Sequence, residues 1–187
     1  MTILQDTIFT PRLKLRKVEE TDIKQLIAWS NNKQAYGDYL TPEQISENTF
    51  REKVRSGATW TQKNRSFIIE TKDGTAIGTI NYWLRPECEK CGVVKVRIAE
   101  TAERGKGYGT EAQKYLVIEL FERLKLNAVE MYTDVNNKAQ QRCLGKLGFE
   151  LVNSLTYEDC HVTRLGHLYR IDSTQYTKYP DYKYHYE

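Results

Sequence analysis

The chain has 187 residues, of which 40% are hydrophobic and 28% are charged, and its formal net charge is +3. This length and balance are typical of a folded domain with its own core and exclude an intrinsically disordered chain. The small basic excess does not by itself indicate a nucleic-acid-binding protein, and no apolar run approaches the roughly 18 residues of a membrane-spanning helix. Residues 1–9 lack the basic and then apolar pattern of a secretion signal, so we expect a cytoplasmic protein without a membrane partner.

The periodicity of apolar residues predicts an alternation of strands and helices. In chain order the predicted elements are a strand over 12–18, helices over 19–29 and 41–56, strands over 65–71, 76–84 and 93–99, a helix over 107–124, a strand over 128–133, a helix over 138–147, and strands over 149–157 and 161–171. This order predicts the α+β class, with a central, mostly antiparallel mixed β-sheet of about seven strands flanked by about four helices. We expect one domain over residues 1–175 and a Tyr-rich C-terminal tail over residues 176–187, which packs over the body or is partly disordered.

Local sequence signals mark the ends of several of these elements. Thr41-Pro-Glu-Gln44 has the capping residues of a helix start, and Gly57 is suited to the end of that helix. Lys72-Asp-Gly74 predicts a tight hairpin turn. A second hairpin is predicted around residues 86–92.

The chain has four cysteines, which are expected to be thiols in a reducing compartment: Cys88, Cys91, Cys143 and Cys160. Cys88-Glu-Lys-Cys91 has the spacing of a zinc half-site. A second half-site is lacking, because Cys160 and His161 are adjacent rather than separated by a turn. We therefore expect two thiols that flank a hairpin turn, and no metal.

The most informative segment is Arg104-Gly-Lys-Gly-Tyr-Gly-Thr110, which follows a predicted strand and begins a predicted helix. Its glycines let the backbone turn sharply and approach a ligand closely. The start of the next helix offers unpaired N–H groups and the positive end of a dipole, which together suit a phosphate or pyrophosphate. An isolated loop of this kind is also compatible with a flexible turn before a helix.

Two common phosphate-binding patterns do not describe this loop. The P-loop needs four residues between its glycines and then Lys with Ser or Thr, and that pattern is absent. The dinucleotide pattern G-x-G-x-x-G, started at Gly105, requires a third glycine where the chain has Thr110.

The loop and a second segment together resemble a known family. Arg104-x-x-Gly107-x-Gly109 resembles the Arg/Gln-x-x-Gly-x-Gly/Ala signature of the GNAT superfamily of N-acetyltransferases, and Thr110-Glu-Ala-Gln113 continues it. Thr133-Asp-Val-Asn-Asn137 and Lys146-Leu-Gly-Phe149 resemble the second conserved block of that superfamily. The segments 10–16 and 167–170 resemble its RimJ/RimL branch, named for enzymes that acetylate the N-termini of ribosomal proteins.

The resemblance implies a GNAT-like fold in which a splayed strand pair binds acetyl-CoA as co-substrate. It implies that strand 93–99 pairs with the pantetheine arm, with Ala99 as a pairing position, and that Asn137 faces the pantetheine or the acceptor. The residues implied to wrap the pyrophosphate are Arg104, Gly105, Lys106, Gly107, Tyr108, Gly109 and Thr110. The implied reaction is direct attack of an amine on the thioester, which requires a base and an acid but no covalent enzyme intermediate.

The positions that usually transfer protons in the family differ in this chain. The position of a tyrosine in the last helix of the family falls near Leu144, and that of a glutamate on the central strand falls near Val94. The serine that commonly follows the asparagine is Gln140 in this chain. The general base and acid are therefore not identified from the sequence.

Other residues remain candidates, three of them for catalysis and two for the acceptor site. Glu130 and Tyr132 lie on the strand beside the splay, and Cys143 lies on the helix near the expected path of the thiol. Tyr82 and Trp83 are candidates for the acceptor site. For each of these five residues, an ordinary packed or solvated side chain is the competing interpretation.

The acceptor is not identified by the sequence. Protein N-termini, polyamines, aminoglycosides, amino acids and nucleotide sugars are all compatible with this scaffold, and a homodimer is left open. Two alternatives come from other classes: a catalytically silent acyl-CoA-binding module, and a ribosome- or RNA-associated protein suggested by the pI of about 8.5 and the tail. Strong nucleic-acid binding is not expected.

Overall fold

The protein is described by a computed structural model that covers residues 6–182. The strands are β1 (Thr7–Phe9), β2 (Leu13–Lys17), β3 (Asn64–Thr71), β4 (Ala76–Arg85), β5 (Cys88–Ile98), β6 (Ala128–Asp134), β7 (Glu150–Asp159) and β8 (Val162–Asp172). The α-helices are α1 (Ile23–Ser30), α2 (Lys33–Tyr36), α3 (Glu47–Arg55), α4 (Tyr108–Glu122), α5 (Lys138–Lys146) and α6 (Ser173–Lys178). No helix among residues 6–182 is long and apolar enough to cross a membrane.

The strands form one sheet in the order β1-β2-β3-β4-β5-β6-β8-β7. Neighbouring strands are antiparallel except for β5 and β6, which are parallel. A parallel pair needs a crossover connection, and α4 provides it. The predicted α+β class and the mostly antiparallel mixed sheet are confirmed, and the short strand β1 brings the number of strands to eight.

Each face of the sheet carries its own apolar cluster, as the alternation of side chains along the strands requires. On one face α4 packs against the sheet, and Phe67, Ile80 and Val129 lie in the same cluster as Leu116 and Leu120. We call this the α4 face. The opposite face, which we call the α1 face, has a smaller cluster that includes Ile68 of β3 and two residues of α1, Leu26 and Trp29. The space left on this face becomes the cavity described below.

The predicted helix start at Thr41 is wrong. Helix α3 begins at Glu47, and the side chain of Ser46 caps it by accepting a hydrogen bond from the Thr49 N–H. The Thr41 N–H instead donates to Asp159 Oδ2 over 2.7 Å, and the Thr41 hydroxyl accepts from Arg164. Long-range contacts to the β7–β8 hairpin therefore hold residue 41 outside any helix.

The first part of the predicted tail packs into the domain. Helix α6 begins at a capping box formed by Asp172 and Gln175. The Tyr176 ring stacks on Phe121 with 4.6 Å between centroids, and the Tyr182 hydroxyl donates to the Leu147 carbonyl over 2.7 Å. Residues 176–182 thus pack against the body, and residues 183–187 of the predicted tail lie outside the described part.

Candidate active site

The gap between β5 and β6 is the central feature of the site. The two strands pair only at Cys91 with Ala128, Gly92 with Val129, and Val93 with Glu130. Beyond these pairs β5 stays bonded to β4 and β6 stays bonded to β8, so the strands diverge. The result is a gap that is closed at Val93 and open at the carboxyl end of β5.

The backbone of β5 turns alternate residues toward this gap. The Ala99 N–H donates to the Ile77 carbonyl over 2.8 Å, on the β4 side. Because backbone groups alternate in direction along an antiparallel ladder, Val96 and Ile98 point theirs toward the gap. The Ala99 N–H is thus committed to β4, and the Ile98 carbonyl accepts from Arg104 Nε over 2.8 Å. This leaves the backbone groups of Val96 and the N–H of Ile98 directed toward the gap.

The glycine-rich loop lies at the open end of the gap. Gly105 and Gly107 have positive φ angles of 75° and 83°, which side chains rarely adopt. Gly107 is the N-cap of α4, and no side chain caps that helix. Its first-turn N–H groups have no intrahelical partner, so the helix start presents donors and a positive dipole to an anion.

The two basic residues of the loop are engaged with the protein itself. The Arg104 guanidinium donates to the carbonyls of Ile98, Gln34 and Ala35 over 2.7–3.0 Å. It thereby joins the end of β5 to α2. Lys106 forms an ion pair with Glu103 at 2.9 Å. In this arrangement Arg104 braces the loop.

A brace from the N-terminal segment also holds the loop, and no sequence motif predicted it. Arg12 donates through Nε to Glu111 Oε2 and through Nη1 to the Lys106 carbonyl. Thr10 Oγ1 and the Arg12 N–H both donate to Glu111 Oε1 over 2.6 and 2.8 Å. Burial alone would raise the pKa of Glu111, but the hydrogen bonds from Thr10 and Arg12 outweigh it and the pKa is lowered.

Side-chain amides connect α4 to α5 on the α4 face. Gln113, which is 1% exposed, donates to the Gly109 carbonyl over 2.9 Å and accepts from Gln140 Nε2 over 2.6 Å. The Gln140 N–H donates to Oδ1 of Asn137, the N-cap of α5. A continuous chain of hydrogen bonds thus runs from the loop to Asn137.

Glu130 and Tyr132, two of the candidate catalytic residues, meet at one arginine. Glu130 is buried and ion-paired through one oxygen with Arg85 and through the other with Arg170. The Tyr132 hydroxyl accepts from Arg85 Nη2 over 2.6 Å, and its ring stacks on Tyr157. Both Glu130 oxygens are therefore occupied, whereas the Tyr132 proton has no acceptor among residues 6–182.

Cys143 faces the interior between α4 and α5. Its Sγ lies 3.1 Å from Thr110 Oγ1 and 3.3 Å from Gln113 Nε2. Burial raises the pKa of the thiol, against the smaller lowering effects of these two partners. A thiolate is therefore disfavoured at this position.

The α1 face has a cavity of about 480 Å³ next to the gap. Trp83, an acceptor-site candidate, lines it. Tyr82, the other candidate, does not line it: its ring is fully buried in the core of the α4 face, and its hydroxyl donates to the Gln62 carbonyl. Adjacent strand residues point to opposite faces, so only one member of this pair can reach the cavity.

An ion cluster closes one side of the cavity. Asp159 accepts from Lys95 of β5, from Arg164 and from the Thr41 N–H. Burial would raise the pKa of Asp159, but Lys95 and Thr41 dominate and lower it. The segment that contains Thr41 is thereby tied to the β7–β8 hairpin over the cavity.

Cys88 and Cys91 both lie in β5, after the turn, rather than on either side of it. Burial raises the pKa of the Cys91 thiol to about 11. Within residues 6–182 no group of three or more His, Cys, Asp or Glu side chains is placed to hold a metal ion.

A family model described as the acetyltransferase (GNAT) domain matches residues 12–150. This match covers most of the chain, including β5, the loop, α4 and α5. The chain belongs to the GNAT acetyltransferase family. It is therefore an acetyl-CoA-dependent N-acetyltransferase, and the resemblance of its two motifs to this superfamily is confirmed. No curated protein matches the chain in sequence.

Solved structures of GNAT proteins share the fold. RimJ of Mycobacterium smegmatis in complex with CoA-disulfide has 17% identity and a TM-score of 0.75, with 91% of this chain and 88% of RimJ covered. RimL, a ribosomal-protein α-N-acetyltransferase in complex with coenzyme A, has 15% identity and a TM-score of 0.74, with 89% and 97% covered. A mutant of the spermidine N-acetyltransferase SpeG from Vibrio cholerae has 17% identity and a TM-score of 0.73, with 90% and 98% covered. At these sequence identities the structural similarity shows a shared fold only. The similar structures include members of the predicted RimJ/RimL branch.

Proposed function

We propose that this GNAT protein transfers the acetyl group of acetyl-CoA directly to a primary amine, with the donor in the gap between β5 and β6 and the acceptor in the cavity of the α1 face. The observation that carries this proposal is the position of β5 between the two. Its backbone faces the gap at Val96 and Ile98, while its side chains at Lys95 and Arg97 line the cavity. A donor and an acceptor bound on either side would meet along one strand.

The donor half follows from the orientation of the gap. The start of α4 binds the pyrophosphate at the open end, with Tyr108, Gly109 and Thr110 supplying N–H groups. The pantetheine arm then runs along β5 and pairs with Val96 and Ile98 as an added strand would. The thioester comes to lie toward the closed end, near Val93 and Glu130.

The chemistry requires that the amine lose a proton and that the thiolate gain one. Tyr132 lies on β6 just beyond the closed end, and we assign its hydroxyl as the acid because its proton is uncommitted. Glu130 is held by two arginines, and Cys143 faces the α4 face. These contacts argue against either residue as the base, so we assign removal of the amine proton to water in the cavity.

The direct test measures binding and turnover separately. Calorimetry determines the affinity for acetyl-CoA, and released thiol reports transfer to a panel of amines that includes spermidine and peptides with free N-termini. Initial rates with both substrates varied should give the intersecting pattern of a ternary complex. Binding without thiol release for any amine would favour the silent acyl-CoA-binding module, and parallel lines would contradict direct attack.

The RNA-associated alternative has its own readout. Affinity for RNA that falls steeply with salt would support it. We expect at most weak binding, because the formal net charge of the chain is only +3. A cytoplasmic location and the oligomeric state remain predictions.

A further inference from the structure

Arg97 occupies an unusual position in the wall of the cavity. It lies on β5 directly opposite Thr79 in the β4–β5 register. Its guanidinium carbon lies 4.1 Å from the ring centroid of Tyr36 and 5.9 Å from that of Trp29. These rings hold the planar cation in place, and Arg104 secures the carbonyls of α2 that precede Tyr36. Arg97 is therefore positioned before any ligand arrives.

The guanidinium of Arg97 has no polar partner in the described part of the chain. Its Nε is buried without a hydrogen bond, and no carboxylate of residues 6–182 forms an ion pair with it. Other half-buried arginines differ: Arg16 pairs with Asp22 and Glu70, and Arg85 pairs with Glu130. An unsatisfied buried charged donor is costly. An unpaired guanidinium that faces a cavity therefore indicates a site where a ligand supplies a hydrogen-bond acceptor.

The nearby carboxylates are engaged elsewhere. Asp159 is bound by Lys95 and Arg164. Glu100 accepts from the indole Nε1 of Trp29 over 2.7 Å. The remaining cavity carboxylates, Glu43 and Glu158, are exposed at the rim. Among residues 6–182, therefore, no carboxylate neutralises Arg97.

The cavity floor beside Arg97 is polar but uncharged. Thr79 lies opposite Arg97, Asn81 lies opposite Lys95, and Ser66 lies opposite Asn81. All three side chains line the cavity. Hydroxyl and amide groups of this kind can add hydrogen bonds to an anion held by a guanidinium.

We infer that the acceptor carries an anionic group, a carboxylate or a phosphate, which binds Arg97 while its amine reaches the thioester. This inference rests on the proposed function, because it describes the substrate of the same site. Arg97 is four residues from the closed end of the gap at Val93, about 13 Å along the strand. The anionic group and the amine are therefore separated by several bonds.

The experiment compares acceptors that differ only in the anionic group. ω-Amino acids of increasing length are each paired with their primary amides, and phosphoethanolamine is paired with ethanolamine to distinguish phosphate from carboxylate. Wild type should prefer the anionic member of at least one pair. Arg97→Gln should lower kcat/KM for that member about ten- to a hundredfold more than for the neutral member of the same pair and leave the KM for acetyl-CoA unchanged. Arg97→Lys should retain part of the preference.

Stability and a matched variant separate binding from a structural role. In Arg97→Gln the lost packing on Tyr36 and Trp29 is offset by removal of the buried Nε that lacks a hydrogen bond, so Tm should change little. Arg123→Gln, at the far end of α4, should leave the preference intact. The inference would be overturned, and the proposed function would stand, if Arg97→Gln lost kcat/KM equally for both members of a pair, with or without a lowered Tm. A raised KM for acetyl-CoA in this variant would have the same consequence. Acetyl-CoA binding without transfer to any amine would overturn the proposed function and the inference with it.

Discussion

Gln140 Nε2 donates a hydrogen bond to Gln113 Oε1 over 2.6 Å, and this contact joins α5 to α4. Gln113 in turn donates to the Gly109 carbonyl in the first turn of α4, while the Gln140 backbone N–H donates to Asn137. The sequence comparison identified Gln140 only as a departure from a common serine.

We expect Gln140→Ala to weaken acetyl-CoA binding, because α4 and α5 lose the contact that sets their separation. The free energy of unfolding should fall by about 1 kcal/mol, as for one buried hydrogen bond. The double variant Gln113→Leu with Gln140→Leu should recover stability but not affinity, because no amide is left unsatisfied. Calorimetry measures the affinity for acetyl-CoA, and denaturant unfolding measures the free energy of unfolding. If the double variant bound acetyl-CoA as tightly as wild type, Gln113 and Gln140 would have no positioning role.

Gly109→Val should reduce acetyl-CoA affinity at least tenfold while the protein remains folded. A Cβ at Gly109 would lie 3.7 Å from Ile98 Cγ1, an ordinary contact, but the added methyl groups would obstruct the first-turn N–H groups. Gly145→Val on α5 is the matched control, since a Cβ there meets nothing within 4 Å. Unchanged affinity in Gly109→Val, measured by calorimetry, would rule out this loop as the pyrophosphate site.

Tyr132→Phe should lower kcat about a hundredfold with little change in either KM, as removal of a general acid does. The comparison variant is Glu130→Gln. It should lower the free energy of unfolding by about 1–3 kcal/mol, because Arg85 and Arg170 lose a shared counter-charge, and should leave the shape of the pH–rate profile unchanged. A pH–rate limb that disappears in Glu130→Gln would instead make Glu130 the titrating catalytic group.

Glu111→Gln should destabilise the protein by about 1–2 kcal/mol at pH 7, because charge-assisted hydrogen bonds from Thr10 and Arg12 are lost. The pKa of Glu111 is lower in the folded state than in the unfolded state. Its contribution is therefore present above the unfolded value of about 4.3 and is lost as the pH falls through the folded value. Denaturant unfolding at several pH values should show wild type and variant converging on the acid side.

Glu119→Gln is the control for this pH series. Burial raises the pKa of Glu119, against the smaller lowering effect of Arg123. The charged form is thus disfavoured in the folded state, and its removal should not lower stability at pH 7. A loss equal to that of Glu111→Gln would show that the series reports loss of any carboxylate on α4 rather than the Arg12 brace.

Much of the fold was predictable because the signals are local. The alternation of residues 12–18 and the turn at Lys72-Asp-Gly74 concern neighbouring residues and hold in the structure. Thr41 carries an equally good local signal, yet its N–H and hydroxyl bind Asp159 and Arg164. Capping gains of about 1 kcal/mol are small enough for such tertiary contacts to override.

By itself, the sequence determined the α+β class, the family and the loop at the start of α4, because glycine spacing and hydrophobic period act over a few residues. Only the tertiary structure decided which face each side chain occupies and which charges are satisfied. It buried Tyr82 while exposing Trp83 to the cavity, engaged Glu130 with two arginines, and left Arg97 without a carboxylate in the described part of the chain. These outcomes depend on strand register and on residues distant in the sequence, which no local pattern encodes.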